Sequence, residues 1–223
     1  MNQLVSLFIF VFITFNLTPV FASSNTGLEL IKKTMSRYQL APAVEITLSK
    51  IVTLALLDET KKSEGRLFFS KGKMRLEIDK PEESIIVMNN NTLWVETPTP
   101  EELGGKTQVI KIRSQELSQQ AKAPLAALLG KPSAWDQMKL LKEENKSGVV
   151  SLILAPKKEN TFGDVVSISL EINRDSNEIS KIGYKDDLDN ETKFEFQKSN
   201  FKAKATKNMF QYVPPKNSQI TEY

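Results

Sequence analysis

Along the chain the apolar residues pass from an unbroken run, to a helical stripe, to long stretches of strict alternation. The unbroken run, Leu4 to Phe15, lies in a segment, Met1 to Ala22, that carries no charged side chain. Such a segment is incompatible with a water-facing fold and reads as a secretory signal. It ends in Val20, Phe21 and Ala22, whose spacing of small residues suits cleavage before Ser23. The segment lacks the usual Lys or Arg near its start, so retention as an N-terminal anchor stays open as the alternative.

From Thr26 to Tyr38 the apolar positions Leu28, Ile31, Met35 and Tyr38 recur every three or four residues, which predicts an amphipathic helix capped by Asn25 or Thr26. Beyond Pro42 the period drops to two. Val44, Ile46 and Leu48 alternate with Glu45 and Thr47, and the aliphatic run Lys50 to Leu57 extends the strand. Further strands are predicted over Gly65–Ser70, Lys73–Asp79, Ser84–Met88, Thr92–Thr97 and Thr107–Arg113, joined by short polar turns that favour antiparallel hairpins. In one of them Met74, Leu76 and Ile78 face one way while Lys73, Arg75, Glu77 and Asp79 face the other. One face of the sheet is therefore dry and the other wet.

Between Ser114 and Leu141 the alternation lapses. Leu117, Ala121, Leu125, Leu128 and Leu129 follow a helical spacing, Pro124 suits a helix start, and Gly130 with Pro132 suits a stop. Trp135 and Met138 fall in a second short turn or helix. Strands resume at Gly148–Ala155, Val165–Asn173, Ile179–Lys185, Lys193–Ser199 and Asn208–Val213. A sheet of about eleven strands cannot stay flat. The fold expected is mainly β (α+β): a single curved antiparallel sheet forming an incomplete barrel, covered by lid helices. Residues 23–223 form one domain after the 1–22 signal peptide.

Composition narrows the chemistry. The formal net charge is +3, too even for a nucleic-acid binder. No cysteine is present, so stability rests on apolar burial without disulfides. No histidine is present either, which removes His-based triads, and the two absences together leave no nitrogen or sulfur ligand for zinc or copper. No cofactor or metal site is expected. Asp186 to Glu191 superficially resembles a calcium loop but lacks its central glycine and ligand spacing, and reads as a polar hairpin tip.

Residues 82–95, EESIIVMNNNTLWV, following Pro81, resemble the family motif Pro-x-Glu-x-Leu-Ile-Val-x-Asp-Gly-Lys-Thr-Leu-Trp of the periplasmic lipoprotein carrier LolA. Later blocks agree in order: Gln108 and Val109, Pro124 to Leu129 against the family's lid helix, Ala155 to Lys157 against Thr-Pro-Lys, and Phe210 to Pro215 against a closing Phe and Pro-Pro. The chain also departs from the pattern. Lys71 takes the place of a lid-tethering Arg, and Met74 and Leu76 replace two aromatics. A lysine lacks the planar fork that can hold several carbonyls, so its lid contact would be looser.

The resemblance implies a non-enzymatic carrier that shelters acyl chains in a hydrophobic cavity. Leu67, Phe69, Met74, Leu76, Trp94, Pro124, Leu125, Leu128 and Leu129 would line the cavity and its lid, and Lys71 would tether the lid. Implied partners are acylated lipoproteins or other lipids, an inner-membrane ABC-type release complex, and an outer-membrane receptor similar to LolB. Implied too are a monomeric state and a periplasmic location in a Gram-negative type bacterium. Two alternatives remain from other classes: a sensor or lipid-binding regulatory module on the same fold, and a carboxylate-dependent hydrolase, the latter disfavoured by the lack of histidine.

Overall fold

The computed structural model describes residues 26–79, 81, 83–89, 92–99, 104–113, 133–159, 161–206 and 208–223. Helix α1 (Thr26–Leu40) precedes β1 (Val44–Leu54), a 3-10 turn (Ala55–Leu57), β2 (Glu59–Ser70), β3 (Lys73–Ile78), β4 (Ser84–Met88), β5 (Thr92–Thr97) and β6 (Gln108–Arg113). There follow a one-turn helix α2 (Ser133–Asp136), β7 (Met138–Lys146), β8 (Val149–Pro156), β9 (Val165–Asn173), β10 (Glu178–Asp186), β11 (Glu191–Asn200) and β12 (Gln219–Glu222).

All twelve strands join one sheet in the order β12-β6-β5-β4-β3-β2-β1-β11-β10-β9-β8-β7, and β7 and β12 are left as unjoined edges. The expected incomplete barrel is what forms. Each pairing is antiparallel except β12 on β6, which is parallel. Two meanders meet where β1 pairs with β11, and the register there shifts between Thr47 and Leu48. Such a bulge bends its strand and increases the local twist, which helps a wide sheet to curl.

Turn chemistry sets the hairpins. Between β2 and β3, Lys71 and Gly72 both adopt positive φ (47° and 77°), the conformation whose twist matches the flanking strands. At the β10–β11 tip the Asp186 carboxylate accepts hydrogen bonds from the amides of Leu188 and Asn190 and from the Asn190 side chain. Its oxygens are committed to the turn, as a hairpin tip requires.

Several features differ from the sequence reading: the aliphatic run Lys50 to Leu57 extends β1 only as far as Leu54, and Ala55–Leu57 forms the 3-10 turn. The helical stretch expected to reach Leu141 gives way after Asp136, and Met138–Lys146 forms edge strand β7; residues 114–132 lie outside the described part. Strand β7 is missed by pattern because beyond Leu140 its residues are exposed and mostly charged, which is how a sheet edge avoids pairing with other chains. Asn208–Val213 is not a strand; the closing strand is β12, further along. Strand β2 begins at Glu59 rather than Gly65, since Glu59–Glu64 pairs with the outer half of β1 where little needs burying.

Candidate functional site

The inner face can be read rung by rung. One rung runs Val44, Phe69, Met74, Met88, Leu93 and Ile112 across β1 to β6; the next runs Ile46, Leu67, Leu76, Ile86, Val95 and Ile110. A third runs Leu48, Gly65, Ile78 and Ser84. Apart from Ser84 every member is apolar. Leu67, Phe69, Met74 and Leu76 are all at most 1% exposed, whereas Ile86, Val95 and Ile110 toward the β6 margin are only half-buried. Each such side chain fully removed from water contributes roughly 1.5–3 kcal/mol. The half-buried margin retains part of that as unsatisfied apolar surface.

The register separates the expected site residues. Leu67, Phe69, Met74 and Leu76 share the inner face as adjacent partners. Trp94 does not join them: it pairs with Val87, and its neighbours Leu93 and Val95 take the inner positions. Its ring lies on the convex side, 5.3 Å from Tyr212, with the Lys111 ammonium 5.3 Å from its centroid. The signal is present in the sequence, because Trp94 shares its parity with Thr92 and Glu96. Lys71 stands in the exposed β2–β3 turn, with no ion pair among the described residues. Pro124, Leu125, Leu128 and Leu129 lie outside the described residues.

Sequence reasoning also misses how the convex side is covered. The Tyr212 hydroxyl donates to Glu96 Oε2 at 2.6 Å, and Val87, Val109 and Phe210 are buried apart from the main cluster. Burial and the neighbouring Glu96 carboxylate hold the Tyr212 phenol above its ordinary range. The segment after β11 is thus a strap on the back of β4 to β6.

Helix α1 covers the other half of the inner face. That half is built from rungs such as Leu152, Leu170, Ile182 and Phe194. Ile31, Met35 and Tyr38 point into it, and Gly27 comes so close that a side chain there would strike Leu152 and Glu143. The far end of α1 is fastened by Arg37, which donates to the Ser176 carbonyl, pairs with Glu178 at 2.7 Å and stacks 4.2 Å over Phe201. Beside it the Tyr38 hydroxyl accepts from the Ile179 amide at 3.1 Å.

Burial raises the Tyr38 phenol to about 12, with the Ile179 hydrogen bond acting in the opposite direction. Because the folded value lies above the unfolded one, near 10, the fold favours the neutral phenol. Its contribution is complete below pH 10 and is lost as pH rises through 12. Stability is expected to hold up to about pH 9.5 and then fall, by roughly 2–3 kcal/mol for this group. Urea titrations from about pH 8 to about pH 11.5 check this, and Tyr38→Phe should remove this group's share of the alkaline decline, the Tyr184 and Tyr212 phenols, also raised, supplying part of the rest; an unchanged slope refutes the assignment.

As chemistry, the site offers binding. A serine and a carboxylate do meet, Ser49 donating to Glu64 at 3.0 Å with Gln197 donating to both, but on the convex face and with Ser49 fully buried. That hydroxyl can reach no substrate. Among the described residues no group of three acidic side chains is placed to hold a metal ion, and no helix is long and apolar enough to cross a membrane.

Comparison with solved structures finds distant similarities. An uncharacterized conserved protein of Thermus thermophilus is 11% identical over 89% of this chain and 99% of that one, with a TM-score of 0.51, a likeness of fold. A LolA superfamily protein of Nitrosomonas europaea is 13% identical over 82% and 96% of the two chains, TM-score 0.45. A chain of the Pseudomonas aeruginosa MucA/MucB complex is 13% identical over 84% of this chain and 61% of that one, TM-score 0.39. No curated protein sequence matches the chain. Residues 45–213, from the start of β1 to the strap on the convex side, match the family described as outer membrane lipoprotein carrier protein LolA. The chain belongs to the LolA family.

Proposed function

We propose that this protein is a periplasmic chaperone that shelters the acyl chains of lipid-modified proteins against its inner sheet face and carries them from inner to outer membrane. The reading rests on one observation above all: two complete six-strand rungs of apolar side chains, the second of which ends in a half-buried margin of Ile86, Val95 and Ile110. A hydrocarbon tail needs no polar partner, since each buried methylene contributes about 0.8 kcal/mol. A dozen methylenes would then provide affinity on the order of 10 kcal/mol. Release requires a competing acceptor or a conformational change that withdraws the face. The charge-free segment at the start of the chain accords with export. An inner-membrane release complex and an outer-membrane receptor are the partners such a route needs.

Protein purified from its native compartment should carry acyl-bearing species in native mass spectrometry, and the delipidated protein should take up a fluorescent fatty-acyl probe from solution. Ile86→Lys should weaken probe binding at least about tenfold, because a cation on a hydrocarbon-facing surface must be desolvated. Its melting temperature should fall only modestly, since the position is partly buried at the edge of the cluster and a lysine can lead its ammonium out to water. A protein that takes up no acyl probe, or an Ile86→Lys variant that binds as well as the parent, overturns the reading.

A further inference from the structure

The two free edges of the sheet are built differently. Strand β7 carries Lys139, Lys142, Glu143, Glu144 and Lys146 and is bulged between Leu140 and Lys142, and both devices keep an edge from pairing with other chains. Strand β12, at the opposite edge, has neither. Its register on β6 runs unbroken from Gln219 to Glu222, and its single charged side chain, Glu222, is tied to the Lys111 ammonium at 2.9 Å. All of its residues are exposed. The Gln219 and Tyr223 amides donate to the Thr107 and Lys111 carbonyls, so the alternate residues Ile220 and Glu222 turn their amide and carbonyl groups away from the sheet. Among the described residues no strand pairs with that side. Unpaired main-chain groups of this kind are a template for one more strand.

Where the edge lies, and how short it is, select the occupant. The inner rung of Ile46, Leu67, Leu76, Ile86, Val95 and Ile110 continues onto Thr221 and opens steadily in that direction. Its first three members are at most 1% exposed, the next three are half-buried, and Thr221 is exposed. With neighbouring strands about 4.8 Å apart, a strand added beyond β12 would run roughly 10 Å from Ile110, a distance that about three extended residues span. A second copy is the competing occupant, but a strand of 4 residues falls far short of the roughly 800 Å² per partner that a stable pair needs. A free peptide held by so few hydrogen bonds would be weak for the same reason. An acyl chain on the Ile86, Val95 and Ile110 margin removes that objection, because it keeps the polypeptide attached to it at high local concentration beside the edge.

We propose that β12 receives, as an added strand, the extended polypeptide adjoining the lipid of an acylated protein, while the acyl chain lies on the neighbouring margin. The inference rests on the carrier reading above and names what the protein grips of its cargo besides hydrocarbon. Main-chain hydrogen bonds read no side chain, so one edge serves cargo of any sequence that is extended there and free of proline. Each such bond is worth about fivefold in affinity.

The full chain, freed of bound lipid, is tested by displacement of a fluorescent fatty-acyl probe. The competitors are palmitate, a diacylglyceryl-cysteine peptide with a tail of about six residues, and the same lipopeptide with its tail amides N-methylated. The unmodified lipopeptide should bind at least about fivefold more tightly than the methylated one. It should also slow hydrogen exchange at the Ile220 and Glu222 amides, which palmitate should leave unchanged. Ile220→Pro removes one outward amide and spares the bonds to β6, a position where an edge strand tolerates proline. It should cut the preference about fivefold without changing palmitate affinity, whereas Ile220→Thr should keep it. Equal binding of the two lipopeptides to wild type, which does not depend on any variant folding, overturns the inference and leaves the carrier reading standing. So does unchanged exchange at Ile220 and Glu222, or a preference that survives Ile220→Pro intact. Protection of those amides in a ligand-free dimer would give the edge to a second copy and overturn it too. A wild type that takes up neither the probe nor any competitor overturns both.

Discussion

Gly65→Val should leave a protein that unfolds at markedly lower denaturant, having lost about 3 kcal/mol or more, a drop in melting temperature of at least about 6 °C. Gly65 sits mid-strand in β2, between Leu48 of β1 and Ile78 of β3. A Cβ there would lie 2.4 Å from the Glu77 carbonyl oxygen and 2.7 Å from Ile78 Cδ1. The first contact is with backbone and cannot be relieved by turning a side chain. Valine adds two further carbons, so β2 and β3 must part in the middle of the sheet and forfeit ladder hydrogen bonds. Gly65→Ala should cost less but still more than about 1 kcal/mol, and Ile78→Ala should rescue it only in part. A denaturation midpoint for Gly65→Ala within error of the parent would show that the strands do not approach so closely.

Phe69→Ala should cost about 3–5 kcal/mol, lowering the melting temperature by roughly 6–20 °C. Phe69 is 1% exposed and stands beside Met74 on the inner face. Its removal leaves a dry, apolar void. In an ordinary core that is the whole effect. On a face that accommodates acyl chains, the void is additional volume for them, and a ligand that binds only the folded state stabilises it in proportion to its occupancy. Added acyl probe should therefore raise the melting temperature of Phe69→Ala by more than it raises that of the parent. An equal or smaller rise would mean that the probe binds elsewhere.

What the sequence makes legible follows from how strongly each residue's environment is two-sided. Met74, Leu76 and Ile78 alternate against Arg75 and Glu77, so β3 and its inner face are visible at once. The helical stripe of α1 is equally plain, since Ile31, Met35 and Tyr38 are buried on one side only. The stretch Glu59 to Glu64 is illegible because it extends a ribbon past the core, where neither face has to be apolar. Strand β7 hides for a related reason: it is an edge, and only Met138 is buried. Family likeness misplaces Trp94, because it matches residues without regard to the face they take; plain alternation puts Leu93 inward and the indole behind. The cleft between α1 and α2 is beyond sequence reading altogether, because Gln39 and Trp135 are brought together only when both helices dock on the same sheet.

The β1–β11 junction has a consequence for how the chain folds in time. Glu45 is matched to Asn200 and Thr53 to Glu191, so the seam between the two meanders joins residues separated by most of the sequence. Folds dominated by such distant pairings form slowly, on the order of milliseconds to seconds. A chain emerging amino-terminus first can zip β1 to β6 as local hairpins, but the other side of β1 has no mate until residues 191–200 appear. Until then an unguarded strand lies at the centre of the eventual sheet, which makes the nascent molecule prone to aggregation and a natural client for holding factors.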